Sequence, residues 1–380
     1  MHDLTRRAFL GTLSRCGLGA CGFCAVAEWD LQRALAAERP ESGPRREVEF
    51  FETLPGGAVR CGICPRHCVL NDGETGACRS RVNLGGRHYS RGYARPCIIR
   101  ADPVEKIPLG HFLPGAETMT VAVGGCNLHC LYCQNWQHSQ ARPDKLKTFD
   151  LPPDEAVEAA RQKGVKVIAF NYTDPVAFLE YAKDVAVAAR KAELRIVAAT
   201  GAYIEPEPLL DFAQYVDAIT IGLKGFTNDF YETVCDAKLD GVLNSITTIA
   251  NKTDCWLELV NLVVPTYNDD PATIREMVGW IRRNVGCETP LHFSRFVPMY
   301  RLTNLPRTPV TTLESACRIA RDAGLKHVYT ANIAPHDGAN TYCHKCGASL
   351  IQRLGLKILE NHIADGRCPK CRSPIPGVWK

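Results

Sequence analysis

Three cysteines of this chain, Cys126, Cys130 and Cys133, have the spacing C-x3-C-x2-C. They follow the apolar, β-branched run 118–123, which predicts a strand, so they occupy the loop at its carboxyl end. A loop this short brings three thiolates to one side of a compact metal cluster without help from distant residues. Closed zinc or iron–sulfur sites take four protein ligands, so three cysteines leave one metal position open for a ligand that is not protein.

With Tyr132 just before its last cysteine, this loop resembles the cluster loop of the radical S-adenosylmethionine (SAM) enzymes. The resemblance implies that Cys126, Cys130 and Cys133 hold a [4Fe–4S] cluster whose fourth iron binds SAM, with Tyr132 beside the adenine. In that superfamily, one electron from the cluster splits SAM into methionine and a 5′-deoxyadenosyl radical. The spacing alone leaves two alternatives open, a structural zinc loop and a ferredoxin-type site completed by a distant cysteine.

Longer motifs resemble one particular group within this superfamily. The sequences R-C-G-I-C-P-R-H-C, D-P-V-E-K-I-P-L-G-H-F-L-P-G, G-C-N-L-H-C-L-Y-C-Q-N-W and S-R-F-V-P resemble the radical SAM member of the AmmeMemoRadiSam group. That member is itself similar to pyruvate formate-lyase activating enzymes. The similarity runs from about residue 60 to residue 379, and it implies a protein substrate and a low-potential electron donor of the cytosol. A small-molecule substrate is the alternative.

A second group of cysteines precedes the loop with the spacing C-x2-C-x3-C-x9-C, and its members are Cys61, Cys64, Cys68 and Cys78. Four soft ligands among turn-forming residues predict a small module held together by a metal, because the segment has few apolar residues. Zinc is the default ion, and an iron–sulfur cluster is the alternative that spacing cannot separate from it.

A third group consists of two C-x2-C knuckles near the end of the chain, Cys343, Cys346, Cys368 and Cys371. Two such knuckles predict a ribbon-like tetrathiolate zinc site, with a rubredoxin-like iron centre as the alternative. The isolated cysteines in apolar contexts are interpreted as packing residues of the core, and they are Cys235, Cys255, Cys287 and Cys317.

The composition agrees with metal ligation. Of nineteen cysteines in 380 residues, eleven fall in these three groups, which indicates metal binding by reduced thiols rather than disulfides. A net charge of +4, with 23% charged residues, gives no reason to expect a nucleic-acid-binding tract. No stretch predicts a membrane span.

The first 45 residues read as a separate leader. The run Thr5–Leu10, T-R-R-A-F-L, resembles a twin-arginine export signal, and Ala34–Ala37 supplies small residues for cleavage. The alternative, which we favour, is a cytoplasmic protein with a mobile leader, because SAM and low-potential electron donors are cytosolic. The predicted divisions are a leader (1–45), a cysteine-rich metal module (46–115), a partial barrel (116–335) and a zinc-ribbon-like module (336–380).

Beyond the cluster loop, helix and strand patterns alternate. The predicted strands are 165–170, 195–200, 216–221, 255–264, 291–296 and 326–330. Apolar strands alternating with amphipathic helices indicate a parallel sheet covered on its outer face. A cysteine loop stands where a doubly wound nucleotide fold would have its Gly-rich turn. The predicted fold is therefore α/β, a partial (β/α)6-type TIM barrel with small cysteine-rich modules at both ends.

In such a barrel, functional groups lie at the carboxyl ends of the strands. Thr173 and Asp174 follow the second strand, where related enzymes receive the SAM ammonium. Lys224 follows the fourth strand and is predicted to neutralise the SAM carboxylate or the substrate. Similar proteins often read Asp-Leu-Lys here, whereas this chain has Gly222-Leu-Lys, so a carboxylate role at this position is in doubt.

Two further candidates lie on later strands. Asn261 is predicted to contact the ribose of SAM, since it and Glu258 cannot both face the barrel interior by simple alternation. His292 corresponds to a histidine that activating enzymes carry near SAM, with a buried core histidine as the alternative. Together these residues predict a radical SAM enzyme that abstracts hydrogen from a substrate. The rival hypothesis is a non-catalytic iron–sulfur or zinc protein that carries electrons or scaffolds a partner.

Overall fold

The computed structural model describes residues 46–380, so the predicted leader lies outside the described part of the chain. This part begins with six short strands: β1 (Arg46–Glu47), β2 (Phe51–Thr53), β3 (Val59–Cys61), β4 (Val69–Leu70), β5 (Arg81–Leu84) and β6 (Arg87–Ser90). They form two antiparallel sheets, with strand orders β1-β6-β5 and β2-β3-β4. Gly85 and Gly86 both have positive φ, as the two-residue turn between β5 and β6 requires.

The main sheet contains eight strands: β7 (Ile98–Pro103), β8 (Glu117–Ala122), β9 (Val167–Phe170), β10 (Arg195–Thr200), β11 (Ala218–Gly222), β12 (Trp256–Val263), β13 (Leu291–Arg295) and β14 (Val328–Ala331). They follow one another in chain order across the sheet, and β8 to β14 are parallel. β7 pairs antiparallel with β8, an edge strand that the sequence reasoning missed. The predicted partial α/β barrel is confirmed.

Helices cover the outer face of this sheet. The longer ones are Pro153–Gln162, Leu179–Lys191, Pro206–Ala213, Leu239–Lys252, Pro271–Asn284 and Val310–Asp322, and the short ones are Trp136–Ser139 and Asn228–Phe230. Three of the longer helices begin with proline, which suits a first turn because its missing N–H would have no partner there. β9 is buried on both faces, as expected of a strand between helices and a filled barrel interior.

Residues 104–116 form a plug that closes the amino-terminal end of the barrel. Its side chains Val104, Ile107, Leu109 and Phe112 are at most 1% exposed, and they form one apolar cluster with Val167, Ala169, Val197 and Ala218 of the strands. The sequence predicted only a connection into the first strand. Because the plug fills the lower barrel, the open end lies at the carboxyl ends of the strands.

The chain ends in an antiparallel sheet of β15 (Thr341–Tyr342), β16 (Ser349–Leu354) and β17 (Lys357–Asn361). This carboxyl-terminal module is tied to the plug. Arg353 Nη2 donates to the Gly110 carbonyl at 2.8 Å, and the Val378 N–H donates to the His111 carbonyl at 2.8 Å. Among residues 46–380, the helices are too short or too polar to cross a membrane.

Candidate active site and metal centres

The loop with Cys126, Cys130 and Cys133 leaves the carboxyl end of β8 through two glycines. The Ser80 hydroxyl donates to the Gly124 carbonyl at 2.6 Å. Gly125 has φ +105°, and a Cβ there would overlap the Cys78 carbonyl and lie 2.5 Å from Ser80 Oγ. Glycine is therefore required at this position, both for the backbone angle and for the close approach of the amino-terminal module.

A second segment fixes the other side of the loop. The His129 N–H donates to the Cys235 carbonyl at 3.0 Å, and the Leu131 N–H donates to the Val234 carbonyl at 2.9 Å. Both carbonyls belong to the single π-helical turn Tyr231–Cys235. Such turns are frequent at functional sites, and this one holds the cysteine loop in a fixed path.

Buried surroundings keep the three loop thiols protonated in the absence of a metal. Burial raises the pKa of Cys126 well above its usual range, and the nearby Asp174 carboxylate adds to this effect. A hydrogen bond with the Cys235 thiol, and then burial, raise the pKa of Cys130. Burial also raises the pKa of Cys133. A metal centre bound here displaces protons as it forms.

Asp174 and Thr173 lie beside this loop, at the carboxyl end of β9. Asp174 accepts from the Gly201 N–H at 2.7 Å, the Thr200 hydroxyl at 2.8 Å and the Val176 N–H at 3.1 Å. Burial raises its pKa, and these hydrogen bonds oppose the rise. The Thr173 hydroxyl donates to the Val123 carbonyl at 2.7 Å, which leaves its lone pairs able to accept.

Lys224 folds back over Gly222 at the end of β11. A Cβ at Gly222 would overlap the Lys224 amine and lie 2.8 Å from its Cε, so the ammonium occupies the space that a side chain at 222 would take. Its positive charge lowers the pKa of Cys130, Cys133 and Asp174. This effect is smaller than the effect of burial, which raises the pKa of all three groups. Because residue 222 is glycine here, Lys224 has room to place its charge among the loop cysteines and Asp174.

We expect the Lys224→Met variant to lower the apparent affinity for SAM by roughly tenfold or more, because one cation next to the predicted SAM site is lost. Equilibrium binding of SAM to anaerobically reconstituted protein measures this. The matched control is Lys252→Met at an exposed helix end. An equal affinity for SAM in both variants would contradict a role of Lys224 in SAM binding.

The two candidates on the later strands have other contacts. Asn261 Nδ2 donates to the Leu223 carbonyl at 2.8 Å, so it supports the backbone that carries Lys224, while its buried Oδ1 has no partner. His292 Nε2 hydrogen-bonds the Glu258 carboxylate at 2.7 Å, against the plug. Its contacts are with the lower barrel, and a role near SAM stays a prediction.

The four carboxyl-terminal cysteines form a compact group. The Sγ atoms of Cys343 and Cys371 are 3.5 Å apart, and those of Cys346 and Cys368 are 3.7 Å apart. All four sulfurs lie within 4.8 Å of one another, a feature that no other candidate group of described residues shares. Four thiolates around one zinc ion are about 3.8 Å apart, given Zn–S bonds of about 2.3 Å and tetrahedral geometry. The group can bind a single metal ion, and zinc is the ion we propose.

We expect Cys346→Ser to lower the zinc content by about one atom per chain and to lower the unfolding temperature, because the small module has little apolar core of its own. Elemental analysis and thermal unfolding measure both effects. Cys287→Ser, a half-buried cysteine outside the three groups, is the control. Unchanged zinc in Cys346→Ser would contradict the site.

Sequence reasoning missed one contact in this region. Cys235 was interpreted as a core residue; it is buried, but its thiol also contacts Cys130 and lies 3.9 Å from the Tyr132 hydroxyl. Tyr132 itself is buried, with Phe230 and Phe296 as ring neighbours. Cys235 is more than a hundred residues from Cys130, so no spacing motif signals the contact.

Comparison with known proteins places this geometry in a family. The family model described as "Radical SAM superfamily" matches residues 120–278. An uncharacterized protein of Methanocaldococcus jannaschii, MJ0808, is 44% identical over 332 residues, which cover 87% of this chain and 98% of that protein.

Two solved structures are similar at low identity. A domain of pyruvate-formate lyase-activating enzyme from Bacteroides vulgatus is 15% identical, with a TM-score of 0.38 over 43% of this chain and 98% of that chain. Streptococcus suis SuiB bound to S-adenosylmethionine is 11% identical, with a TM-score of 0.46 over 60% of this chain and 53% of that chain. The assignment rests on the sequence matches together with the fold, and on these grounds the chain belongs to the radical SAM superfamily of enzymes.

Proposed function

We propose that Cys126, Cys130 and Cys133 hold a [4Fe–4S] cluster, that SAM binds beside them at the open end of the barrel, and that the enzyme abstracts hydrogen from a protein substrate. One observation carries this proposal. The three thiols share the carboxyl end of the sheet with the Asp174 carboxylate, which raises the pKa of Cys126, and with the Lys224 ammonium, which lowers the pKa of Cys130 and Cys133. An anion and a cation beside three thiols suit the zwitterionic amino-acid part of SAM.

The residues present fit the cluster. The three loop sulfurs do not meet the spacing of a single-ion site, since the group that does so among residues 46–380 is the carboxyl-terminal one. A cubane places each cysteine on a different iron, so its thiolates stand farther apart than around zinc.

When bound, the cluster and SAM supply one-electron reductive cleavage of SAM and a carbon radical that takes a hydrogen atom from the substrate. The chain's own residues would bind and orient SAM. Lys224 would neutralise the cysteine thiolates and the SAM carboxylate, whereas Asp174 and Thr173 would offer acceptor oxygens to the SAM ammonium. The plug keeps water out of the lower barrel.

An aromatic pair beside the loop supports a macromolecular substrate. The ring of Trp136 stacks on that of Tyr300 at 5.3 Å, and Trp136 is 37% exposed. The Arg301 N–H donates to the Leu131 carbonyl at 2.9 Å, so the pair is fixed to the cysteine loop. Exposed aromatic and arginine side chains are enriched where proteins contact one another. The resemblance to glycyl-radical-activating enzymes and to the AmmeMemoRadiSam group supports the same class of substrate.

The function is tested with anaerobically reconstituted enzyme, dithionite and SAM. We expect release of methionine and 5′-deoxyadenosine. The rival hypothesis of an electron carrier or scaffold predicts neither product. Deuterated candidate proteins then identify the substrate, because abstraction moves deuterium into 5′-deoxyadenosine.

We expect Trp136→Ala to reduce deuterium transfer from the protein substrate at least roughly tenfold, since a large interface aromatic often carries 2 kcal/mol or more. SAM cleavage without substrate should stay unchanged, because Trp136 lies on the rim of the site. The exposed Tyr267→Ala is the matched control. Loss of both activities together would show that Trp136 supports the cluster loop rather than the substrate.

We further propose that the enzyme works in the cytoplasm with a low-potential electron donor. All sixteen cysteines of residues 46–380 are free of disulfides, as a reducing compartment requires. Fractionation of cells producing the full chain tests this, and accumulation of the mature protein outside the cytoplasm would support export instead.

A further inference from the structure

A cavity lies between the amino-terminal module and the cysteine loop, outside the site described above. Four cysteines line it, and they are Cys61, Cys64, Cys68 and Cys78. Three of them are buried and Cys68 is half-buried. They come from the end of β3, the following turn, the start of β4 and the loop before β5, so the fold brings four soft ligands to one enclosed space.

Several buried polar atoms of the residues that line this cavity have no hydrogen-bond partner. Arg81 Nε, both ring nitrogens of His88 and Asn127 Oδ1 are buried without a hydrogen bond, and each of these residues is at most 2% exposed. The guanidinium of Arg81 is held in place, because its Nη2 contacts both Glu180 oxygens at 3.1 Å. Leaving a buried polar atom unpaired costs about 1–3 kcal/mol. Arg81 Nε and one ring N–H of His88 are unpaired donors, and together they indicate a bound group that offers hydrogen-bond acceptors.

The spacing of the sulfur atoms favours a cubane cluster over a single metal ion in this cavity. The carboxyl-terminal group shows how this chain arranges cysteines for one ion, with all four sulfurs within 4.8 Å of one another. Among the described residues, no three sulfurs of the cavity meet that criterion. In a cubane the thiolates bind separate irons and stand roughly 6 Å apart. Its sulfides also accept hydrogen bonds, as Arg81 Nε and a ring N–H of His88 require.

We propose that Cys61, Cys64, Cys68 and Cys78 bind a second, fully ligated [4Fe–4S] cluster rather than a zinc ion. It lies directly against the SAM-cluster loop. Asn127, which follows Cys126, lines the cavity, and the Arg66 Nε–H donates to its carbonyl at 2.8 Å. The Cys78 carbonyl faces Gly125 so closely that no side chain fits between them.

This position suits an electron relay, a role that rests on the proposed function. A low-potential one-electron donor protein reduces the second cluster, and the same electron then passes to the cluster on Cys126, Cys130 and Cys133. No bond forms or breaks in either transfer. The donor is oxidised by one electron, which SAM cleavage finally consumes.

The metal content is tested with the triple variant C126A/C130A/C133A, which leaves the cavity intact. After anaerobic purification we expect about four iron and four sulfide per chain, half the wild-type amount, with about one zinc. Little iron with about two zinc per chain would overturn the proposal. SAM should not change the electron paramagnetic resonance spectrum of the reduced variant, since every iron already has a cysteine ligand. A change would contradict four-cysteine ligation.

If the triple variant does not fold, the iron and zinc content of the wild-type protein tests the same proposal. About eight iron and one zinc per chain support the proposal, whereas about four iron and two zinc overturn it. Failure of wild-type protein to cleave SAM would refute the proposed function without touching this count, so the two proposals fail separately.

The relay is tested with Cys68→Ser, at the half-buried ligand. We expect SAM cleavage driven by a flavodoxin-type donor to fall at least roughly tenfold more than cleavage driven by dithionite, a small reductant that reaches the SAM cluster directly. An equal loss of SAM cleavage with both reductants would contradict the electron relay and would indicate that the second cluster is structural.

Discussion

Cys130→Ala protein is expected to release no methionine or 5′-deoxyadenosine above background. The thiol lies at the centre of the loop, next to Cys235 and within the electrostatic reach of Cys133 and Lys224. Without it, two cysteines remain for the proposed cubane, which already lacks one protein ligand, so the proposed cluster and its open iron position would both be lost. Product release after dithionite addition, together with the iron content, measures the effect.

Two cysteine variants serve as controls for this result. Cys287→Ala is expected to keep full cleavage, because this half-buried residue belongs to none of the three groups. Cys235→Ala tests the neighbouring thiol, and we expect it to retain the cluster and most of the activity. Should Cys130→Ala retain cleavage while Cys235→Ala loses it, the third ligand would be Cys235 and the assignment of the loop would be wrong.

Glu258→Gln is expected to lower the free energy of unfolding by roughly 3 kcal/mol, the largest stability effect we anticipate. The fully buried carboxylate accepts from the Gly110 and His111 N–H groups at 2.9 and 2.8 Å. It also accepts from Trp256 Nε1 at 3.0 Å and His292 Nε2 at 2.7 Å. Glutamine offers one acceptor oxygen in place of two and adds two donors, so it leaves several of these groups unpaired.

The effect of Glu258 depends on pH in a defined direction. Burial alone would raise its pKa, but the hydrogen bond and charge of His292 lower the pKa to about 2. The carboxylate therefore stabilises the fold at pH values above its ordinary pKa of about 4.5, and this contribution is lost as pH falls from there toward 2.

Chemical unfolding of wild-type and variant protein at several pH values measures the difference, which should shrink as the pH falls below 4.5. The exposed Glu276→Gln, on the helix Pro271–Asn284, is the control and should differ little from wild type. A gap between Glu258→Gln and wild type that grows on acidification would contradict the assigned charge state.

The Glu258 network also joins parts of the molecule that are distant in sequence. His111 lies between Tyr329 and Pro376: its Nδ1–H donates to the Pro376 carbonyl, and its Nε2 accepts from the Tyr329 hydroxyl. Arg353 of the carboxyl-terminal module reaches Gly110 in the same plug. The carboxyl-terminal module is thereby anchored to the plug, and loss of the proposed zinc ion is expected to loosen the plug as well.

The sequence by itself determined the features whose parts are neighbours in the chain. Cys126, Cys130 and Cys133 lie within eight residues, so their spacing alone predicts a cluster loop after a strand. The alternation of apolar strands and amphipathic helices predicted the parallel sheet, because each pattern reflects one local period and one buried face. The two knuckles near the end predicted a tetrathiolate site for the same reason.

Only the tertiary structure decided what depends on distances between remote segments. Three such features are the plug, the burial of Glu258 against His292, and the contact of Cys235 with Cys130. They join residues separated by 34 to 148 positions. The spacing of Cys61, Cys64, Cys68 and Cys78 is the same for zinc and for a cubane. What separates the two is the distance between sulfurs and the unpaired polar atoms around them, and both arise from packing against the barrel rather than from the order of residues.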